Sequence, residues 1–275
     1  MKTTRRECLR PLAGVFLGAA ATNALGFQPN AATWSDAEKE KYLKSAAIVS
    51  VEEIGHGVTK PIKAKLMLAG VEHAAKIQTV DKELPDFFGA DNKPVPMRDS
   101  WRYNVAAYRM DRLLGLRMGT VEVARPYKGK PAAFSWWVDD VQFEEVDRLR
   151  KEVQPPDPED FARQREVSKV FDELIINIDR NLSNILITKS WKIALIDHSR
   201  CFVPYHSIRN TENLTRCSKG LLAAMRGLTA ASITQAVGTY LTAVEVKAVL
   251  ARRDRIVELF EREVKDKGEA SVLFP

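Results

Sequence analysis

Hydrophobic positions change their period about halfway along the chain. Between residues 48 and 138, apolar side chains come in short alternating runs. Residues 48–51, 62–68 and 71–80 each read as a strand, and residues 120–125 and 132–138 as two more. Gly70 punctuates the second and third, and Lys128-Gly129-Lys130 divides the last two. Residues 101–116 have helical spacing instead, with Val105, Tyr108, Leu113 and Leu116 on one side and Arg102, Arg109 and Arg112 among the polar positions. From Asp157 onward the longer period dominates. Asp157 and Pro158 read as N-cap and first residue of a helix running to Leu174. Thr242 and Glu245 form a capping box that opens a helix near the end, and Ser35 with Glu38 opens another that runs to about Ala47. Residues 92–96 read as a loop, and residues 199–213 lack periodicity. A strand-rich first half and a helix-rich second half predict an α+β fold in two lobes.

The segment from Phe171 to Asp197 is the most informative. An apolar helical end runs into the polar stretch Asn177-Ile178-Asp179-Arg180-Asn181-Leu182-Ser183-Asn184. Two short β-branched runs follow, separated by Lys189-Ser190. Three oxygen-bearing side chains sit at its corners: Asp179, Asn184 and, closing the second strand, Asp197. Phosphoryl transfer asks a protein for positioning and charge neutralisation more than for covalent chemistry. Asp179 suits a carboxylate that accepts or orients the proton of an attacking hydroxyl. Asn184 and Asp197 suit the hard oxygen donors that Mg²⁺ requires. Taken alone, a polar turn capped by Asp and Asn and followed by a hairpin accounts for the same pattern. Upstream, Gly55 and Gly57, with Val58, follow the first strand, where backbone N–H groups without an intervening Cβ can approach phosphates. The third strand carries Ala74-Ala75-Lys76, and Lys76 would supply a point charge to them. Trp136 and Trp137, at the end of the fifth strand, suit either an adenine pocket or the core.

This ordered set resembles the atypical kinase-like superfamily that includes HipA toxins, phosphatidylinositol kinases and the secreted Golgi casein kinases. The carrying residues are Asn177, Asp179, Arg180 and Asn184 with Ile196-Asp197-His198-Ser199. As in those relatives, the arginine follows the aspartate. The resemblance implies a two-lobed protein-kinase-like fold, with a strand-rich N-lobe over residues 48–138 and a helical C-lobe over residues 139–275. It implies Asp179 as the catalytic carboxylate, Asn184 and Asp197 as metal ligands, and Lys76, Gly55, Gly57 and Val58 as nucleotide-binding residues. ATP with Mg²⁺ or Mn²⁺ would be the cofactor, and a protein hydroxyl or small polar acceptor the substrate. Specificity would lie in loops at residues 81–98 and 199–213. Two departures stand out. The position on the helix at 101–116 where kinases keep a lysine-pairing glutamate holds Asn104, with Asp111 a possible substitute, and the glycine after Asp197 is replaced by Ser199 beyond His198. Asn104 motivates the alternative of a pseudokinase or nucleotide-binding scaffold.

The amino terminus reads differently. Residues 1–10 are basic, residues 11–27 are mildly apolar, and Thr22-Asn23-Ala24 offers a cleavage site, the three-part pattern of a signal peptide. Thr4-Arg5-Arg6 with Leu9 resembles a twin-arginine signal. Residues 1–24 are thus expected to direct export to the periplasm or beyond, the alternative being a cytoplasmic protein that keeps them. Residues 25–47 would be a leader segment and helix. The apolar stretch is too short to span a bilayer comfortably, so no integral membrane segment is expected in the mature chain. The chain carries a formal +6, of which residues 1–24 hold Lys2, Arg5, Arg6 and Arg10 against Glu7, leaving +3. So weak a balance gives no footprint for nucleic acid. The run Arg252-Arg253-Asp254-Arg255, mixed with Glu258, Glu261 and Glu263, reads as a solvated face. Of three cysteines, Cys8 falls in the leader. Cys201 and Cys217 could bridge a loop of about 15 residues, worth on the order of 3 kcal/mol, or remain as two buried thiols. The four scattered histidines give no zinc spacing, and there is no G-x-S-x-G or dinucleotide-binding glycine pattern.

Overall fold

The computed structural model describes residues 33–54, 62–88 and 92–275. The expected signal peptide and the glycine-loop residues Gly55, Gly57 and Val58 lie outside the described residues. Helix α1 (Asp36–Ser45) starts at the Ser35–Glu38 capping box, with both arms made. Strands β1 (Ala47–Glu53), β2 (Ile62–Leu68) and β3 (Val71–Gln78) follow. Ala69 and Gly70 both take positive φ between β2 and β3, the two-residue hairpin geometry that suits the twist of the flanking strands.

The next segment corrects the sequence reading. Residues 81–98, expected as a loop, form a hairpin of β4 (Asp81–Phe88) and β5 (Pro94–Ser100). Its prolines hid it. Pro85 sits where the register shifts between Leu84 and Phe87, and the ribbon is two-stranded, so both strands are edges and a missing N–H is tolerated. Helix α2 (Trp101–Leu113) comes next, capped by the Ser100 hydroxyl. With β6 (Glu122–Ala124) and β7 (Ala133–Trp136), the first three strands form an antiparallel five-stranded sheet in the order β1-β2-β3-β7-β6.

The two faces of that sheet differ in chemistry. One buries Ala64, Leu66, Ala75, Ile77, Val123 and Phe134 against Tyr42 and Leu43 of α1 and Tyr108 of α2. The other carries a row of polar partners across four strands: Lys63 opposite Lys76, Lys76 opposite Ser135, and Ser135 opposite Glu122. Because side chains of paired residues share a face, all four look toward the second lobe.

Beyond the sheet come β8 (Val141–Glu144), α3 (Glu145–Arg150), α4 (Pro158–Leu174), β9 (Ile185–Thr188) and β10 (Ile193–Leu195). The expected hairpin β9–β10 gains β8 as a third strand. The residues after Asp197 form no regular element until a short helical turn at Thr211–Asn213. The chain ends with β11 (Cys217–Ser218), α5 (Lys219–Arg226), α6 (Ala230–Val237), α7 (Ala243–Lys267), α8 (Glu269–Val272) and β12 (Leu273–Phe274). Their core joins Phe171 and Leu174 of α4 to Leu195, Phe202, Leu222, Val249, Ile256 and Phe260, all fully buried or nearly so. The molecule is therefore α+β and two-lobed, strand-rich first and helical second.

Two further readings resolve here. Arg252 does not belong to a solvated face. It is fully buried, and its guanidinium donates to the carbonyls of Leu174, Val203 and Tyr205. Burial pushes its pKa down to about 9. Charge mixing along a helix says nothing about which residue the next helix covers, and α7 packs this position against the end of α4. Cys201 and Cys217 are buried free thiols. Among the described residues, no helix is long and apolar enough to cross a membrane.

Candidate functional site

The junction of the lobes is organised by Arg180, from the loop after α4. Its Nε and Nη2 bind Asp172 at 2.8 and 3.0 Å. Its Nη1 donates to the carbonyls of Asn184 (2.9 Å) and Ile196 (2.7 Å), and Nη2 reaches His198 Nε2 at 2.9 Å. One side chain thus fixes the backbone at Asn184 and next to Asp197. Burial alone would lower the Arg180 pKa, but the Asp172 carboxylate raises it. Burial, with the charges of Arg180 and Lys76, holds the His198 imidazole well below its ordinary pKa. His198 is therefore neutral, and its Nε2 accepts from Arg180. From this position Arg180 reaches the backbone on both sides of the β9–β10 hairpin, just before β9 and just after β10.

Asp197 lies two residues beyond β10, with φ of +55°. Aspartate tolerates this left-handed region better than most residues. The conformation turns its side chain across the cleft, where Oδ2 lies 3.2 Å from Lys76 Nζ. Its other oxygen, Oδ1, is buried without a hydrogen-bond partner. Asn184 adjoins it, since Ile196 N donates to Asn184 O at 3.1 Å. The Asn184 Nδ2 is directed at the Asp179 carbonyl, 3.4 Å away, which leaves the amide oxygen as its acceptor. Among the described residues no three His, Cys, Asp or Glu side chains converge on a metal position. The donor set of one carboxylate and one amide fits a Mg²⁺ or Mn²⁺ ion that takes its other ligands from phosphates and water, not from an all-protein cage. The orphaned Asp197 oxygen fits that role.

Asp179 is nearly half exposed. Its backbone N–H is held by Asn177 Oδ1 at 3.1 Å, and its Oδ2 lies 3.0 Å from Arg200 Nη1. Arg200 also binds Asp99 through Nε at 3.0 Å, so it ties the start of α2 to the loop. Of the site residues expected from the sequence, the structure gathers Lys76, Asp179, Asn184 and Asp197 at one junction.

The position that departs from kinases has another occupation. Asn104 Nδ2 donates to Gln78 Oε1 at 2.6 Å, and its Oδ1 accepts from His198 N at 2.8 Å. Asparagine joins α2 to β3 and to the residue after Asp197. Asp111 is no substitute partner for Lys76, for it accepts from the backbone of Met118 and Gly119 and pairs with Arg112. Trp136 faces the core, stacked 3.6 Å from His73, whereas Trp137 lies beside Lys63, whose Nζ is 4.4 Å from its ring centroid.

Sequence reasoning missed Arg200, Lys63 and Glu122. Arg200 lay in a segment without periodicity, which carries no positional signal. Lys63 and Glu122 did leave a trace: each is a charged residue two or fewer positions from buried apolar ones in a strand, on the face shared with Lys76. Glu122 is fully buried, with Oε2 accepting from Ser135 Oγ at 2.6 Å and Oε1 from Thr120 Oγ1 at 3.3 Å. Burial pushes its carboxyl up to about 7, against the opposing pull of the Ser135 hydroxyl and the Lys76 charge.

No family model and no curated protein matches the chain. Solved structures do. The hydra Fam20 structure with sugar superposes with a TM-score of 0.62 at 12% identity, covering 86% of this chain and 90% of its own. The Golgi casein kinase with Mn/ADP bound gives 0.60 at 13% identity, over 86% and 78%. The Helicobacter pylori proinflammatory kinase CtkA gives 0.52 at 10%, over 82% and 98%. At such identities it is the fold that is shared, and the chain has the two-lobed, kinase-like architecture of these proteins.

Proposed function

We propose that this protein is an exported, nucleotide-dependent phosphotransferase that moves a phosphoryl group from ATP to a protein hydroxyl or a small polar acceptor. The observation that carries the reading is the Lys76–Asp197 pair across the lobe junction, with the second Asp197 oxygen buried and unspent. In this reading residues 48–138 form the nucleotide-holding lobe, and residues 139–275 form the lobe that carries the catalytic loop. Lys76 holds phosphates, joined by the backbone of Gly55, Gly57 and Val58. Asn184 and Asp197 would hold Mg²⁺ or Mn²⁺, which would neutralise phosphate charge. Asp179 accepts or orients the acceptor hydroxyl proton, with Arg180 keeping the loop in shape. The solved Golgi casein kinase with Mn/ADP supports the cofactor class.

Nucleotide binding is tested first by thermal unfolding with ADP and Mn²⁺. A ligand at a hundredfold excess over Kd adds about 2.7 kcal/mol, which raises the midpoint visibly. Asp197→Ala is expected to abolish turnover while the protein stays folded, and undiminished turnover in that variant rejects the assignment. A second reading, a pseudokinase that binds nucleotide without transferring phosphate, is favoured by Asn104 in place of a lysine-pairing glutamate and by Arg200 on the Asp179 carboxylate. It predicts the thermal shift without turnover. Export is tested by replacing Arg5 and Arg6 with lysine, which is expected to leave the protein in the cytoplasm with residues 1–24 attached. The wild-type mature chain should start near Leu25 by mass spectrometry.

A further inference from the structure

A kinase lysine needs a carboxylate to hold it when the metal claims the aspartate opposite. Helix α2, where that carboxylate is expected, has a single acidic residue, Asp111, which is committed to the Met118–Gly119 backbone and Arg112. Asp99, just before the helix, is paired with Arg200, and Asp172 with Arg180. Among the described residues, a buried carboxylate near Lys76 with no cation paired to it lies on the sheet. Glu122 sits in the same cross-strand row as Lys76, with only Ser135 between them. Adjacent strands lie about 4.8 Å apart, so the two backbones are about 10 Å apart, a span that lysine and glutamate side chains on one face close between them. Ser135 Oγ donates to Glu122 and fixes its carboxylate over the row.

The setting makes the residue conspicuous. Val121 and Val123 beside it, and Phe134 across from Val123, are buried apolar residues. A fully buried carboxylate in such a strand is costly unless a cation or hydrogen bonds compensate. Two hydroxyls and the Lys76 charge are what Glu122 has. Lys76 is now bound to Asp197, the candidate metal ligand, and a divalent ion at Asp197 would displace it.

We propose that Glu122, from β6, is the positioning carboxylate for Lys76: when a divalent ion takes Asp197, Lys76 turns to Glu122 and to the nucleotide phosphates. The proposal rests on the nucleotide-binding reading above. It moves the lysine's partner from the helix to the sheet and frees Asn104 to tether α2 to His198.

The test uses the full chain and two variants that separate charge from shape. Glu122→Gln keeps the size and the hydroxyl contacts but loses the charge; Glu122→Asp keeps the charge on a shorter arm. Affinity for ADP with Mn²⁺ is measured by calorimetry. Losing a charge-assisted contact is expected to weaken binding about tenfold in Glu122→Gln, and by less in Glu122→Asp. A purely structural role predicts the reverse order, and either that order or a Glu122→Gln affinity within about twofold of wild type overturns the proposal. In wild type, saturating ADP with Mg²⁺ should bring a nuclear Overhauser contact between Lys76 Hε and Glu122 Hγ. Its absence overturns the proposal whether or not the variants fold. Failure of the wild type itself to bind ADP rejects the nucleotide reading beneath it, whereas wild-type binding with unaffected variants rejects Glu122 alone.

Discussion

Arg180 and Lys76 are both cations at the lobe junction, and they are held very differently. Arg180 bonds to Asp172, Asn184, Ile196 and His198, and is nearly enclosed. Among the described residues, Lys76 makes one ion pair, with Asp197. The first is a tie that keeps two backbone segments in register; the second is a contact that a ligand can break. A site that must keep its shape while accepting a charged ligand needs both.

The sharpest way to break this comparison is Arg180→Met. It leaves the Asp172 carboxylate buried without its partner, which typically costs about 3–5 kcal/mol. Urea denaturation measures it, and a loss below about 1 kcal/mol would mean that the loop is held by something else. Arg252→Met probes the same lobe away from the junction. It orphans the carbonyls of Leu174, Val203 and Tyr205 and is expected to cost about 2–3 kcal/mol by the same denaturation.

Glu122→Gln tests the sheet side through pH. Burial holds the folded carboxyl up at about 7, well above the ordinary carboxylate range. The native state therefore holds the proton more tightly than the unfolded chain. Stability is greatest below the unfolded value and falls as pH rises through about 7. The groups that set this are burial, Ser135, Lys76, Thr120 and Asp197. Glutamine carries no such dependence. Glu122→Gln should gain on wild type by on the order of 1–3 kcal/mol at pH 8.5 and by nothing near pH 4.5, read as the difference in denaturation midpoints. The smallest expected effect on stability is that of Lys76→Met. Its single partly exposed ion pair is worth about 1 kcal/mol or less, yet the thermal shift with ADP and Mn²⁺ should vanish. A large loss of stability there would mean that Lys76, like Arg180, is structural.

The chain's own order of residues made much of the fold readable. Capping boxes at Ser35 and Thr242, and the Asp157–Pro158 start of α4, are local signals, and each helix begins where they place it. Alternation marked the sheet strands because one face is apolar and the other polar. The β4–β5 hairpin escaped because Pro85, Pro94 and Pro96 erase the local strand signal; what makes it a ribbon is its own cross-strand pairing and the apolar contacts of Phe87, Val95 and Met97 with Ile176, Val203 and Tyr205. Those partners lie a hundred residues away in the chain.

At the site, the sequence by itself determined which side chains were available: Asp179, Asn184 and Asp197 at fixed short spacing, and Lys76 on a strand. Their chemistry and order are local properties. Tertiary structure decided which of them are neighbours, and what each is spent on. Asn104 became a tether instead of a lysine partner because α2 packs it between Gln78 and the His198 backbone. Arg252 became a buried strut because α7 crosses the end of α4. Glu122 shares a cross-strand row with Lys76 because strand order places β7 between β3 and β6, which brings residues far apart in the chain onto one face of the sheet.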